Sequence, residues 1–485
     1  MDKVTKSNNA IYGVKAWIIA LISIFAVISY PVLFLYFQNA EEVRFIEVIS
    51  PLFVFMACGL IVFIISVFIA KSVSLAALIT NFCMLIVLNY AFIEKIVYKI
   101  FPMFYYWHVY AILVFGFIIL ARLLYKKISA DIANSVVLVI GIVFGSLIVL
   151  NGIVAFPTII KKITVENKTL EHQAEDNKTE MGELPNIYFL LFDEYSSIDF
   201  MRKYYNYDNS AFESHLLKDG FNISYTSHND SISTTTVTTN LLNLNYIVND
   251  KTSTIEKDFY RKNNYLFGYL NEKGYAIKGV GSVQAYGLVN SVSEKQDLSA
   301  KTVTGETIKD IIYKNTIIRP LYKAQAYTEA QKLIISAFEY LADPKNYSKN
   351  SFTFAHIVCP HEPFYFNKEG IPYKNPTSNW KDDKYYLEQY IFTTNKIIEI
   401  IDSIISNDPE SIIILQSDHS ARASSDPDLS SSKFLHQDKT SIFNAVYYKG
   451  EKLDIEGLSG VNTLRSLLNK LFNENFEVIE LPSAN

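Results

Sequence analysis

Five transmembrane helices followed by an α/β domain with a largely parallel central sheet are the fold that this sequence predicts. Almost all of the long apolar runs fall before about residue 160, and the charged residues concentrate after that point. In the second half, short apolar segments typical of buried strands alternate with helical patterns. At 485 residues the chain is long enough for more than one domain. We therefore expect a transmembrane domain over residues 1–160, a linker over 161–183 and an extracytoplasmic domain over 184–485.

The apolar runs are long enough to cross a bilayer. A helix needs about 20 apolar residues to span the hydrocarbon layer. None of the runs carries the polar stripe expected of a helix buried in a soluble protein. The first run is too long for the core of a cleavable signal peptide, and no small-residue cleavage site follows it. The five predicted spans are Ala16–Phe37, Ile49–Ala70, Ser74–Phe92, Tyr105–Tyr125 and Ser135–Ile159.

The basic residues of the short loops predict the orientation of these spans, because cytoplasmic loops are enriched in lysine and arginine. The residues that mark the cytoplasmic side are Lys3, Lys6, Lys15, Lys71, Arg122, Lys126 and Lys127. The opposite side has an acidic loop around Glu41, Glu42 and Glu47, while Lys161 and Lys162 run against the trend. The bias predicts a cytoplasmic N-terminus in an inner or plasma membrane. Five crossings then place everything after residue 160 outside the cytoplasm.

Residues 164–183 are polar and without periodicity, which favours a linker. Beyond it, Asn186–Phe192 and Ser411–Gln416 are continuous apolar runs, the pattern of strands buried on both faces. Further strands are predicted at Tyr275–Val280, Ser351–Val358 and Phe443–Tyr448, and helices at Asn209–Leu217, Lys384–Ser406 and Val461–Phe472. Alternating strands and helices indicate an α/β sandwich, in which ligands bind beyond the carboxyl ends of the strands.

Two pairs of charged residues follow the two most apolar strands. Asp193-Glu194 ends the first and Asp418-His419 ends the second. Three carboxylates and an imidazole form a set suited to zinc or manganese. Each pair alone could also be a helix cap. Because both pairs end buried strands, we interpret them as one metal site.

Two further segments carry residues suited to phosphate chemistry. Ser231–Asn240, with the sequence SISTTTVTTN, offers a hydroxyl that a divalent cation could activate as a nucleophile. A solvated loop with a helix cap is the alternative interpretation of that segment. His356 and His361 lie at the end of the strand Ser351–Val358, where a histidine can donate to a phosphate oxygen or act as acid or base.

Composition excludes other classes of function. A net charge of −5 argues against a nucleic-acid partner, because phosphate backbones require a basic face. Cys58 and Cys83 lie inside apolar runs and Cys359 is the only cysteine beyond them, so neither a disulfide framework nor a cysteine zinc site is predicted. We expect Cys359 to be a buried structural thiol.

The motifs together resemble a known family. PNIYFLLFDEYSS, the hydroxyl segment ending in LLNLNY, AHIVCPHEPFYF and IIILQSDHSAR occur in this order over residues 184–475. They are similar to signatures of the sulfatase-like membrane proteins of the alkaline phosphatase superfamily. That family includes lipoteichoic acid synthase and the phosphoethanolamine transferases, which also carry five preceding spans.

The resemblance implies roles for particular residues. Thr234 matches the threonine nucleophile, although Ser233, Thr235 and Thr236 leave the register open. The matched metal ligands are Asp193, Glu194, Asp418 and His419. The matched substrate-binding residues are His361, His356, Arg422 and His436, of which Arg422 could instead be solvated and His436 follows a loop of different length.

The implied function is a phospho-alcohol transferase with a divalent metal, a phospholipid donor and a surface glycan or lipid as acceptor. A phosphatase, phosphodiesterase or sulfatase-type hydrolase of the same superfamily is the alternative. The Cys/Ser-x-Pro-x-Arg motif of sulfatases is absent from Ser231–Asn240, which disfavours sulfate ester hydrolysis. Ser420 and Val237 depart from the family pattern, and Ser420 leaves open a catalytically inactive membrane protein of this fold.

Overall fold

The computed structural model describes residues 2–40, 43, 45–101, 103–170, 184–292 and 308–482, with side chains described outside 2–12 and 161–170. Its helices are α1 (Asp2–Gln38), α2 (Ile46–Ala70), α3 (Val73–Leu88), α4 (Tyr90–Ile100), α5 (Tyr106–Lys127), α6 (Ala130–Leu170), α7 (Ile198–Tyr205), α8 (Ser210–Asp219), α9 (Thr234–Leu242), α10 (Thr254–Lys262), α11 (Tyr265–Glu272), α12 (Ile308–Lys314), α13 (Arg319–Ala342), α14 (Asp383–Asn407), α15 (Pro427–Ser432), α16 (His436–Lys439) and α17 (Gly460–Phe472). Its strands are β1 (Ile187–Phe192), β2 (Phe221–Ser224), β3 (Ala276–Gly281), β4 (Ser351–Ile357), β5 (Phe364–Phe366), β6 (Pro372–Thr377), β7 (Ile412–Ser417) and β8 (Asn444–Tyr448).

The chain divides into two compact units. The first comprises Met1–Thr164 and Glu306–Gln325, and the second comprises Val165–Gly305 and Ala326–Asn485. The polar stretch predicted as a linker over 161–183 begins as helix, because α6 continues to Leu170. Residues 171–183 lie outside the described part of the chain.

Among the described residues, four helices of the first unit, α1, α2, α5 and α6, are long and apolar enough to cross a membrane. The predicted third span, Ser74–Phe92, is not one straight helix: α3 and α4 meet at Asn89 with a bend of 67°. The pair makes a fifth span only if both helices are counted together. The apolar run therefore predicts that this region is apolar and helical, but it does not predict the bend at Asn89 that divides the region into α3 and α4.

Polar and small residues bring the apolar helices together. The Asn81 side chain of α3 donates a 2.7 Å hydrogen bond to the Ser23 hydroxyl of α1, and both side chains are buried. A methyl group added at Gly141 of α6 would lie 3.3 Å from Ser23, so only a very small residue allows this approach. Such contacts are typical of helices that associate within a bilayer.

A segment from the second half of the sequence completes the first unit at the bend between α3 and α4. The Ile317 N–H donates to the Val87 carbonyl at 3.0 Å, and the Ala91 N–H donates to the Asn315 carbonyl at 3.1 Å. These bonds satisfy backbone groups that the interrupted helix leaves open. Arg319 adds an ion pair, with its Nε 3.0 Å from Oε2 of Glu94 in α4.

The second unit is built on a six-stranded sheet with the order β2-β8-β7-β1-β4-β3. β1 pairs in parallel with both β4 and β7, and β3 pairs in parallel with β4. β8 is antiparallel to β7 and to β2, so the other five strands run in one direction. The predicted, largely parallel sheet is confirmed. β5 and β6 form a separate two-stranded sheet.

Alternate residues of β1 pack on opposite faces of the sheet. Leu190 and Phe192 belong to a hydrophobic cluster that includes Ile401 of α14. Phe189 and Leu191 belong to another cluster, on the face covered by α17 among other helices. Since both faces are covered, the strand is apolar at every position, as the sequence pattern predicts.

Candidate functional site

The carboxyl ends of β1 and β7 bring three predicted residues together. These strands pair with Phe192 opposite Ser417, so the residues that follow them are neighbours. One ligand atom each from Asp193, Asp418 and His419 lies within 4.8 Å of the others, and all three residues are buried. His419 Nε2 is 3.3 Å from Asp418 Oδ2 and 4.0 Å from Asp193 Oδ1. We call these three residues the acidic–histidine cluster.

The hydrogen bonds around the cluster leave metal-ligating atoms open. His419 Nδ1 lies 2.8 Å from the Ser420 carbonyl oxygen, which can only accept, so Nδ1 carries the proton and Nε2 has its lone pair. Asp193 Oδ1 and Asp418 Oδ2 are buried without a hydrogen-bond partner among the described residues. Unsatisfied buried carboxylate oxygens are costly unless a cation is bound. The donors therefore fit zinc or manganese, as the sequence predicts.

Glu194 lies beside the cluster but faces different partners. Its backbone adopts the left-handed conformation with φ at 61°, which is uncommon for a residue with a side chain, and its N–H donates to Asp418 Oδ1 at 3.0 Å. Its carboxylate accepts from the Arg422 backbone N–H at 2.8 Å. Glu194 Oε2 is 3.9 Å from His361 Nε2. Glu194 is outside the three-residue group whose ligand atoms meet.

The hydroxyl segment leads into α9, and its hydroxyls have different partners. Ser233 is the N-cap and its hydroxyl accepts from the Thr236 N–H. The Thr236 hydroxyl donates to Asp250 at 2.7 Å. Thr234 Oγ1 lies 3.4 Å from His419 Nε2. The geometry favours Thr234 as the hydroxyl next to the cluster, while Thr235 is its partly exposed neighbour.

Arg422 and His361 form a basic pair at the same edge of the sheet. One guanidinium nitrogen of Arg422 lies 3.1 Å from His361 Nε2, and another donates to the carbonyl of Ile232, which lies in the hydroxyl segment two residues before Thr234. The Arg422 side chain is 19% exposed, so it is not a freely solvated surface group. Both residues could contact an anionic substrate that reaches Thr234.

The remaining two predicted substrate residues have different surroundings. His356 is 2% exposed, and its Nδ1 lies 3.0 Å from the hydroxyl of Tyr286. His436 begins α16 and is exposed. Within the described residues, no hydrogen bond or ion pair joins His436 to the acidic–histidine cluster.

Ser420, which departs from the family pattern, has a structural explanation. Its hydroxyl donates to the Ser441 carbonyl at 2.8 Å and accepts from the Ser197 N–H at 3.1 Å. The side chain is buried and faces these backbone groups. The serine therefore ties the loop after β7 to neighbouring loops and leaves the cluster intact.

The protein environment sets the protonation of the site. Burial raises the pKa of the Glu194 carboxyl to about 7, against the opposing effects of His361 and Arg422. Burial acts in the same direction on Asp193, but neighbouring histidines, foremost His361, outweigh it and hold the pKa of that carboxyl below its usual range. Burial lowers the pKa of His419. An ionised Asp193 and a neutral His419 are the forms that bind metal.

Two residues that support the site are absent from the sequence prediction. Tyr286 follows β3, whose carboxyl end lies at the same sheet edge, so the strand-end logic applied to β1 and β7 would have found it. Asp250 accepts hydrogen bonds from Ser231 and Thr236 at 2.6 and 2.7 Å. No local pattern distinguishes Asp250 from an ordinary loop aspartate.

No protein-family model and no curated protein matches the chain. Solved structures similar to it include full-length lipooligosaccharide phosphoethanolamine transferase A (EptA) from Neisseria meningitidis, at 11% identity and a TM-score of 0.40, covering 93% of this chain and 95% of that one. The periplasmic domain of EptC from Escherichia coli, in a complex with zinc, is 12% identical with a TM-score of 0.38, covering 61% of this chain and 84% of that one. Lipoteichoic acid synthase LtaP from Listeria monocytogenes is 11% identical with a TM-score of 0.38, covering 61% and 73%.

These neighbours are of the kinds that the motifs resemble.

Proposed function

We propose that the chain is a membrane-bound, metal-dependent transferase that moves phosphoethanolamine or phosphoglycerol from a phospholipid onto a surface glycan or lipid. The observation that carries this proposal is the position of Thr234 in the first turn of α9, with its hydroxyl 3.4 Å from His419 Nε2. The first N–H groups of a helix have no partner within it, and the helix dipole favours an anion there. A phosphoryl group at this point would meet a hydroxyl nucleophile and backbone donors together.

In the first half-reaction, Thr234 Oγ1 attacks the phosphorus of the donor headgroup and loses its proton as the new P–O bond forms. The bond between phosphorus and the diacylglycerol oxygen breaks, and diacylglycerol leaves after taking up a proton. In the second half-reaction, an acceptor hydroxyl attacks the phosphorus of the phosphodiester on Thr234 and gives up its proton as the new P–O bond forms. The bond between phosphorus and Thr234 Oγ1 breaks, and the threonine oxygen regains a proton. A hydroxyl has a pKa far above neutral, so the first attack requires activation.

Asp193, Asp418 and His419 would hold the divalent ion, which when bound activates a hydroxyl and offsets charge on phosphoryl oxygens. Arg422 and His361 would contact the phosphoryl oxygens that do not react, because a guanidinium presents a fixed fork of N–H donors to such oxygens. Glu194 borders both groups and holds the backbone of Arg422 in place. Each of these roles is separate from that of the nucleophile.

The first unit supports a lipid substrate and an extracytoplasmic site. Residues 308–325 are the described part of the second half of the chain that belongs to the first unit, and we call them the inserted segment. The inserted segment contacts the end of α3 through Val87 and the start of α5 through Tyr110, whose hydroxyl donates to the Ile317 carbonyl. Lys71 and Lys127 lie at the other ends of these spans, which the loop charges assign to the cytoplasm. We propose that the segment lies on the outer side, where a headgroup of the outer leaflet is accessible.

Alanine substitution at Thr234 tests the function, with Thr235→Ala as the matched control. Headgroup transfer from labelled phospholipid would be measured with full-length enzyme in detergent. Thr234→Ala should abolish turnover and leave metal content intact, while Thr235→Ala should keep activity within about tenfold, roughly 1.4 kcal/mol of barrier. Equal loss in both variants, or none in either, would remove Thr234 from the mechanism.

The same assay separates transfer from its alternatives. Release of free phospho-alcohol at the rate of donor consumption, even with glycan and lipid acceptors present, would identify a hydrolase. Absence of turnover with every phospholipid tested, although the cluster binds metal, would identify an inactive protein of this fold. A product that carries the headgroup on the acceptor supports the transferase.

A further inference from the structure

His356 is enclosed on the inner side of the site. It lies in β4, next to Leu191 of β1 on one side and Gly281 of β3 on the other. Its side chain is 3% exposed. A methyl group at Gly281 would come within 2.5 Å of the His356 carbonyl oxygen, so the strands are closely packed around this residue. His356 is therefore enclosed between two neighbouring strands.

Both ring nitrogens of His356 have definite neighbours. Nδ1 lies 3.0 Å from the hydroxyl of Tyr286, which is itself 2% exposed. Nε2 lies 3.6 Å from Asp193 Oδ2 and has no hydrogen-bond partner among the described residues. The Tyr286 hydroxyl therefore contacts the ring through Nδ1. Nε2, which has no hydrogen-bond partner among the described residues, lies on the side of Asp193.

Asp193 is positioned between two histidines. His419 Nε2 is 4.0 Å from its Oδ1, and His356 Nε2 is 3.6 Å from its Oδ2. The contact with His419 lies within the acidic–histidine cluster, whereas His356 is not a member of that cluster. A carboxylate that binds a metal with one oxygen is commonly held by an outer partner on the other, and such partners change metal affinity strongly.

His361 differs from His356 in each of these respects. Its side chain is 20% exposed, and its Nε2 lies 3.1 Å from the Arg422 guanidinium. Arg422 in turn reaches the segment that carries Thr234 through the Ile232 carbonyl. The two histidines of the motif therefore have different nearest partners, Arg422 for His361 and the pair Tyr286 and Asp193 for His356.

We propose that His356, supported by Tyr286, is a positioning residue that fixes Asp193 and sets the affinity of the site for its metal, and that it does not contact the substrate phosphate. This inference rests on the proposed metal site and is independent of the headgroup-transfer reaction. It assigns the substrate role of the motif to His361 alone. It also assigns a function to Tyr286, which the mechanism otherwise does not use.

Metal affinity tests this role. Full-length enzyme in detergent is stripped of metal and titrated with Zn²⁺ against a chromophoric chelator. His356→Gln should weaken zinc binding by about 10–100-fold, the range for outer partners of metal ligands. Tyr286→Phe, which removes only the buried hydroxyl, should weaken it by a smaller factor. His361→Gln, the same substitution at the other histidine, should weaken zinc binding less than His356→Gln does and should raise KM for the phospholipid donor.

The outcomes distinguish this inference from the metal site itself. Wild-type zinc affinity in both His356→Gln and Tyr286→Phe, with a raised KM in His356→Gln at saturating zinc, would overturn the positioning role. Asp418→Asn serves as the reference for the site: if it does not weaken zinc binding either, the cluster holds no zinc and both proposals fail. Weakened binding in Asp418→Asn together with unchanged binding in His356→Gln refutes the role of His356 alone.

Discussion

Single residues decide which hydroxyl of the segment Ser231–Asn240 faces the cluster. Asp250 accepts hydrogen bonds from Ser231 and Thr236 through one oxygen, at 2.6 and 2.7 Å. These two hydrogen bonds hold Ser231 and Thr236, which flank Thr234 in the sequence. Between them, Thr234 has its hydroxyl 3.4 Å from His419 Nε2.

Loss of the Asp250 carboxylate should therefore affect catalysis more than stability. We expect Asp250→Ala to lower kcat of headgroup transfer at least about tenfold, a barrier change of roughly 1.4 kcal/mol. Because Asp250 is exposed and water can replace its oxygen, the free energy of unfolding should fall by only about 1 kcal/mol. Asp250→Asn keeps an acceptor oxygen and should stay near wild type. A kcat for Asp250→Ala equal to that of the wild type would show that the hydrogen bonds of Asp250 are not needed to position Thr234.

Among the secondary-structure elements, the bend between α3 and α4 is joined to the inserted segment by an ion pair as well as by backbone hydrogen bonds. Glu94 of α4 is 10% exposed in its side chain and pairs with Arg319 at 3.0 Å. The hydroxyl of Tyr90 also donates to Glu94, at 3.1 Å. Removing the arginine would leave a buried carboxylate without its cation.

Arg319→Ala should lower stability by roughly 1–3 kcal/mol, between the values for exposed and buried ion pairs. Arg319→Ala combined with Glu94→Gln should recover part of this loss, because the uncompensated charge is gone. Thermal unfolding of the wild type, both single variants and the double variant in one detergent measures the coupling. Strictly additive changes in stability would mean that the two side chains do not interact.

Elements with a strong sequence pattern are predictable, and elements with a weak pattern are not. β1 and β7 are predictable because burial on both faces requires an apolar residue at every position. The insertion of Ile308–Lys314 into the first unit is not predictable, because a helix of 7 residues is far shorter than the about 20 apolar residues of a membrane span, although Ile308 and Ile312 join the buried core of that unit. The extension of α6 to Leu170 is missed because its polar residues show no helical periodicity.

The site shows the same division. Asp193, Asp418 and His419 are predictable because strand ends of a parallel sheet share one edge. The surroundings of the fourth predicted ligand, Glu194, are not, since one of its carboxylate oxygens accepts from the Arg422 backbone N–H and the other is buried without a hydrogen-bond partner among the described residues. Its left-handed backbone conformation is likewise not evident from the sequence.

For the whole molecule, the number of crossings determines the side on which the second unit lies. With α3 and α4 counted as one crossing there are five spans, and residues after α6 are extracytoplasmic if the N-terminus is inside. With four spans they would be cytoplasmic. Alkaline phosphatase fused within residues 171–183 should be active, and fused beside Lys71 it should be inactive. The reverse pattern would place the site away from the outer leaflet.

Mass spectrometric mapping of the adduct on the peptide that contains Ser231–Asn240 tests the central claim most directly. Purified enzyme would be incubated with phosphatidylethanolamine or phosphatidylglycerol without an acceptor, digested and sequenced. We predict that Thr234 carries the phosphorylated headgroup of the lipid supplied, and that Thr234→Ala carries none. An adduct on Thr235 or Thr236 would contradict the assigned nucleophile. Continued transfer without an adduct on any hydroxyl of the peptide would contradict the covalent mechanism itself.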